Sequence, residues 1–143
     1  MHVVLDANVY LNWFLPSDKT DQIRYAKAFA NLLKSEAVTL HVPLHFELEV
    51  LGPLLRSLRS TPAGISEKKF RAAVDEMDAL PLSFHELGLG FYKMSALATA
   101  YNLSIYDTPY FNIARSFGFQ LATLDSGLMT ASKAWGVELW QPA

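Results

Sequence analysis

Short apolar runs alternate along this chain with stretches whose apolar residues recur at helical spacing. Val3-Val4-Leu5 reads as a buried first strand. Asp21 to Ser35 reads as a helix with Ile23, Ala26, Ala30 and Leu33 along one stripe. A second strand is expected from Val38 to Val42, stopped by Pro43. A helix then runs from about Leu44 to Arg59, with Leu48, Leu51, Leu55 and Leu58 marking its inward side. Pro53 falls inside it and predicts a kink or restart, because proline removes a backbone hydrogen bond and clashes one turn back. Ser66 suits the N-cap of a helix through Asp78, and Leu82 to Phe84 makes a short strand. Glu86 to Tyr101 reads as a helix apolar round much of its circumference, hence well buried. Asp107-Thr108-Pro109 opens a helix, since proline fits the first turn, and Gly118 closes it. Phe119 to Leu124 is strand-like, Ser126 to Trp135 is helical up to Gly136, and Val137 to Trp140 is a final strand. Strands alternating with helices predict an α/β fold with a mostly parallel sheet.

At 143 residues the pattern fits one domain over the whole chain, with no repeat or linker to divide it. The most loop-like stretch, Ser60-Thr61-Pro62-Ala63-Gly64, is too short to separate domains. A hydrophobic share of 51% excludes a disordered chain, and the lack of cysteine excludes a disulfide framework or a thiolate metal site. No apolar run reaches the roughly 18 residues of a membrane span, and the first residues lack the basic and apolar regions of a signal peptide. The expectation is a soluble, cytoplasmic protein with no membrane partner. The net charge of −2 argues against sequence-independent coating of nucleic acid. It leaves room for an enzyme that meets RNA through a local basic region, of which Arg56, Arg59, Lys68, Lys69 and Arg71 form the main one. For most of these, solvated helix faces are the simpler reading.

Three aspartates share one context. Asp6, Asp107 and Asp125 each end an apolar run and precede a helical pattern. In parallel α/β sheets the strand-to-helix turns lie on one edge, where ligands bind. Asp6 and Asp125 therefore meet if their strands are neighbours, and Asp107 can reach the same crevice from its helix start. The helix after Pro43 supplies a fourth acid, Glu47 or Glu49; these lie about 200° apart round the helix, and periodicity does not choose between them. Any one such aspartate is most simply an N-cap. Three together with a glutamate, and no Lys or Arg beside them in sequence, repel one another unless a divalent cation relieves them. Oxygen-only ligands suit Mg²⁺ or Mn²⁺. Such an ion polarises a phosphoryl oxygen and makes hydroxide available near neutral pH, which is the chemistry of phosphodiester hydrolysis. Asn8 and Thr123, each two residues from an aspartate, are placed to hydrogen-bond a carboxylate or a metal ligand. Helix capping for Asn8 and ordinary strand composition for Thr123 are the simpler readings.

The chain resembles the PIN-domain proteins of the VapC toxin type. The likeness is carried by Leu5-Asp6-Ala7-Asn8, by the stretch from Val42 to Val50, by Tyr106-Asp107-Thr108-Pro109-Tyr110 with Ile113-Ala114, and by Leu121 to Leu128 with Gly136-Val137. It covers nearly the whole chain in order. It implies a three-layer α/β/α sandwich and an Mg²⁺- or Mn²⁺-dependent ribonuclease, a toxin restrained by a cognate antitoxin and assembled as a homodimer. The RNA would be of the tRNA or rRNA class. The family's acidic quartet falls on Asp6, a glutamate, Asp107 and Asp125, and its pattern of a glutamate before valine selects Glu49 over Glu47. Leu51-Gly52-Pro53 replaces the family's usual small residue and asparagine, and Thr108-Pro109 its usual small residue.

Two rivals stand beside this reading. One is a PIN-like module with little catalysis that acts by binding protein or RNA. The other is a phosphatase or phosphoacceptor, whose covalent aspartyl chemistry needs a lysine that only Lys133 offers. His2, His41, His45 and His85 are scattered in sequence, and none is paired by motif with a nucleophile. His45 lies near the acids and could touch a phosphate, although a structural role is the simpler reading. Trp13, Phe14, Leu15, Trp135 and Trp140 suit either a core or a dimer surface.

Overall fold

The computed structural model describes residues 1–60 and 62–143; Thr61, within the loop-like stretch read from the sequence, lies outside them. The first strand, β1 (His2–Leu5), leads into a short helix, α1 (Ala7–Leu11), and the longer α2 (Thr20–Ser35). β2 (Thr39–Pro43), α3 (Phe46–Arg59), α4 (Glu67–Ala79) and β3 (Leu82–His85) follow. α5 (Phe91–Tyr101), α6 (Thr108–Phe117), β4 (Gln120–Ala122) and α7 (Ser126–Trp135) complete the order. The four strands form one sheet in the order β3-β2-β1-β4, with every pair parallel. Val3, Val4 and Leu5 alternate in direction along β1 yet all are fully buried. Helices therefore cover both faces of the sheet, as the α/β/α reading requires. Among the described residues no helix is long and apolar enough to cross a membrane.

Several expectations need correction. The buried stripe of α2 is Tyr25, Ala26 and Phe29, and Ile23 is exposed. α3 buries Phe46, Val50 and Leu54, one residue out of step with the leucine stripe, and Leu48 is exposed. α3 packs mainly against α1, where Phe46 meets Tyr10 edge-on with ring centres 6.3 Å apart, and the leucines are left to the flanks. α3 also runs unbroken through Pro53. The fifth helix starts at Phe91 rather than Glu86 and is mostly exposed, with Met94 its one buried side chain. Gly88 adopts φ 71°, a left-handed conformation that belongs to a turn, and so delays the helix. The final strand reduces to a single bridge between Leu121 and Leu139. Asp107 follows a turn after α5, not a strand.

Aromatic packing fixes the rest. Trp140 meets Tyr25 and Phe29 edge-on, and the Tyr25 hydroxyl donates to the Trp140 carbonyl at 3.0 Å, which pins the chain's last residues under α2. Trp135 remains half exposed. The histidines are less scattered than the sequence suggests. His2, His41 and His85 come from three adjacent strands and form a chain, with 2.8 Å from His2 Nδ1 to His41 Nε2 and 2.8 Å from His41 Nδ1 to His85 Nε2. Phe119 stacks on His41 with ring centres 4.2 Å apart. Burial and the two neighbouring imidazoles push the His41 pKa down to about 4.

Candidate functional site

β1 and β4 are neighbours, so the residues after them emerge side by side at the carboxyl edge of the sheet. The Asp6 amide completes the ladder by donating to the Ala122 carbonyl at 3.0 Å. Asp6 occupies the N-cap position of α1, yet its side chain makes no capping bond. Its Oδ2 accepts instead from the Thr123 hydroxyl at 2.6 Å. Asp6 is 5% exposed. Burial, with the charges of Asp107, Glu49 and Asp125 behind it, pushes its carboxyl up to about 7 against the opposing Thr123 bond. All four acids singled out in the sequence thus act on one another across the same edge of the sheet.

Asp125 does cap α7: its Oδ2 accepts from the Leu128 amide at 2.8 Å. The Thr123 hydroxyl oxygen in turn accepts from the Asp125 amide at 3.0 Å, so one threonine ties both strand ends. Asn8 closes the same corner, its Oδ1 accepting from the Leu124 amide at 3.3 Å. Asp107 stands at the head of α6 with no capping bond. Burial and the nearby Asp125 and Glu49 raise its carboxyl above the usual range, opposed by Ser104 and His45. The simple N-cap reading therefore accounts for Asp125 alone.

The two glutamates part company in the fold. Glu49 Oε1 accepts from the Tyr110 hydroxyl at 2.8 Å and lies 3.2 Å from His45 Nε2. His45 Nε2 is also 2.9 Å from the Tyr106 carbonyl, which ties the head of α3 to the turn before Asp107. The Glu49 bond is the main reason the imidazole holds its proton more tightly than usual. Glu47 faces away, lining a cavity of about 250 Å³ with Met77, Asp78, Leu82 and Phe84. Neither Tyr110 nor His45 stands out in the sequence as a partner of the glutamate. Tyr110 lies three residues after Asp107, close to its face of the helix, and that spacing is the one signal that marks it.

Asp6 and Glu49 thus each have one carboxylate oxygen held by a protein donor, as does Asp125. Among the described residues no lysine or arginine pairs with the four acids. The donor set is hard, all-oxygen and strained by like charge, which fits a divalent cation of the Mg²⁺ class. Among the described residues, however, no three His, Asp or Glu side chains already stand close enough together to grip an ion. The acids act on one another at one edge of the sheet without being drawn into a shell.

No protein-family model matches the chain. It is 28% identical over 134 residues to Ribonuclease VapC3 of Mycobacterium tuberculosis, a match that spans 93% of this chain and 87% of that protein. Among solved structures, PAE2754 of Pyrobaculum aerophilum superposes with a TM-score of 0.62 at 15% identity over 92% of this chain and 79% of its own. VapC20 of Mycobacterium tuberculosis, described as a sarcin-ricin loop cleaving toxin, gives a TM-score of 0.59 at 16% identity over 90% of this chain and 94% of its own. The chain is thus similar along nearly its whole length to a VapC ribonuclease, and it shares its α/β/α fold with PAE2754 and VapC20.

Proposed function

We propose that this protein is a divalent-metal-dependent endoribonuclease, the toxin of a type II toxin–antitoxin pair, that hydrolyses RNA phosphodiester bonds. The observation that carries this reading is Asp6: a buried carboxyl pushed up to about 7 among three further acids, with no lysine or arginine in an ion pair with any of them among the described residues. Asp6, Glu49, Asp107 and Asp125 would hold one or two Mg²⁺ or Mn²⁺ ions. Such an ion supplies Lewis-acid stabilisation of charge on the phosphoryl oxygens and a nucleophile at neutral pH.

The chain's own groups prepare that site. Thr123 fixes the Asp6 carboxylate and Asn8 fixes the loop after β4. Tyr110 and His45 both hold Glu49 by the same oxygen, Oε1. The partners that accompany this reading are an RNA of the tRNA or rRNA class, a cognate antitoxin and a second copy of the chain. Support for a protein partner comes from Phe91 and Tyr92 at the head of α5, which are 95% and 88% exposed.

The deciding experiment incubates the purified protein with tRNA and ribosomal RNA in Mg²⁺, Mn²⁺ or EDTA. Cleavage that needs a divalent ion and disappears in Asp6→Asn is expected. Cleavage at the same rate in EDTA, or unchanged in Asp6→Asn, would overturn the mechanism. The acids' open arrangement favours one second reading, a binding module with weak catalysis. RNA or protein binding without divalent-dependent cleavage would establish that reading instead.

A further inference from the structure

The α3–α4 hairpin concentrates positive charge. Five of the chain's 12 basic residues and one of its 14 acidic ones fall between Arg56 and Arg71, so this stretch carries +4 and the remainder −6. All five cations are exposed. Glu67 takes up Arg71 at 2.7 Å. Among the described residues Arg56, Arg59, Lys68 and Lys69 form no ion pair. An ordinary solvated face intersperses both signs.

Their placement relates them to the acidic cluster. Arg56 follows Glu49 by seven residues on α3, so the two share a face and stand about 10 Å apart along the axis. Gly52 lies between them. The Arg56 guanidinium lies over it, with Nη1 3.7 Å from where a Cβ would stand, an ordinary contact distance. The guanidinium is thus folded back along α3 towards the turn that carries Glu49. Arg59 continues the row about one turn further on. Beyond the loop, the Ile65 amide donates to Ser57 Oγ at 3.0 Å and the Gly64 amide to the Ser60 carbonyl at 2.6 Å. These bonds hold the start of α4 against the end of α3 and bring Lys68 and Lys69 to the same end of the hairpin.

We propose that Arg56, Arg59, Lys68 and Lys69 form a track for the backbone phosphates of an RNA strand whose scissile bond lies at the acidic cluster, an assignment that rests on the ribonuclease reading above. The acidic cluster by itself repels a polyanion. The track supplies the attraction a short distance away and aligns the strand along α3. Each phosphate so neutralised releases counterions, and affinity for single strands then falls with log salt by about 0.7 per phosphate.

The test measures binding of a labelled single-stranded RNA by fluorescence anisotropy across a salt series, in an Asp6→Asn background. Replacing Arg56, Arg59, Lys68 and Lys69 together by Gln is expected to weaken binding at least about tenfold at low salt and to flatten the salt slope by about 3. A control replacing Lys19, Lys27, Lys34 and Lys93 by Gln makes the same change in net charge and is expected to leave the slope alone. With Asp6 intact, the track variant should raise KM about tenfold while kcat stays within about twofold. Thermal melting checks the fold of each variant, and Lys68→Gln with Lys69→Gln alone should give about half the slope change. Equal losses in track and control variants, or an unchanged slope in the track variant, overturn the track while leaving any observed cleavage standing. Loss of RNA binding in the track variant of a protein that cleaves no RNA leaves the track standing and overturns the ribonuclease reading. Unchanged RNA binding with weakened capture of polyglutamate would assign the surface to an acidic protein and overturn the proposal.

Discussion

The Thr123 hydroxyl donates to Asp6 Oδ2 across 2.6 Å while its oxygen accepts the Asp125 amide at 3.0 Å. One side chain at the end of β4 therefore sets the spacing of two acids from different strands. Thr123→Val keeps the shape and β propensity but leaves the buried Asp6 without its donor. We expect cleavage to fall roughly 10- to 100-fold, the usual cost of losing such a supporting bond, and to require more Mg²⁺ for half-maximal rate. Thr123→Ser should restore most of it. Rates measured across a Mg²⁺ series check this; a Thr123→Val protein with the wild-type Mg²⁺ dependence would show that the bond does not set the site.

Asp6 itself is expected to cost stability. Its folded pKa of about 7 stands above the ordinary value of 3.8, so between these pH values the folded protein binds the proton more tightly than the unfolded chain. Stability from this group is full below about pH 4 and is lost as pH rises through 7. Asp6→Asn removes the ionisation and keeps an oxygen for Thr123 to donate to. In metal-free buffer it should raise the melting temperature at pH 8 by several degrees and leave it nearly unchanged at pH 4. Mn²⁺ should stabilise the wild type at pH 8 and not the variant, since only an ion bound to the native state stabilises it. Melting curves at the two pH values, with and without Mn²⁺, check the sign.

Much of this site is legible in the sequence alone. The strand-end aspartates can be read because a parallel sheet puts all its strand-to-helix turns on one edge, and β1 and β4 are indeed neighbours. The helix stops at Gly118 and Gly136 are legible for a similarly local reason, since both adopt positive φ. Which stripe of α2 or α3 faces inward is not. Tyr25 and Phe29 take that place against Trp140, and Phe46 takes it against Tyr10, partners distant in sequence about which leucine spacing carries no information. The exposure of α5 is also hidden, because an apolar helix reads as buried whether or not the chain supplies a layer to cover it. The histidine chain needs the register of three strands, which pairs Val4 with His41 and Pro43 with His85. No spacing in the sequence encodes that register.

That chain gives a second pH dependence of opposite sign. His41 is 6% exposed and its folded pKa is about 4, below the ordinary 6.5. Between these values the unfolded chain takes up a proton that the folded protein refuses. The contribution is therefore present above about pH 6.5 and lost as pH falls towards 4. His41→Gln, which retains a donor and an acceptor without a titrating ring, should flatten the acid limb of the stability curve. Urea unfolding of wild type and variant from about pH 4 to about pH 7 measures it; parallel curves over that range would show that His41 does not titrate as its burial requires.

Gly64 tests the rigidity of the hairpin that carries the basic row. A Cβ there would run into the Ser57 carbonyl oxygen and stand 2.9 Å from that of Ser60, both of them backbone atoms that cannot rotate away. Gly64→Ala must therefore part the α3–α4 turn, at a cost on the order of 3 kcal/mol for overpacking a close backbone contact. The loss should appear as a lower melting temperature. The acids lie at the other end of α3, so the stabilisation by Mn²⁺ should survive. RNA affinity should fall with the displaced row of Arg59, Lys68 and Lys69. A Gly64→Ala protein that melts at the wild-type temperature would mean that the two helices do not approach as closely as these distances require.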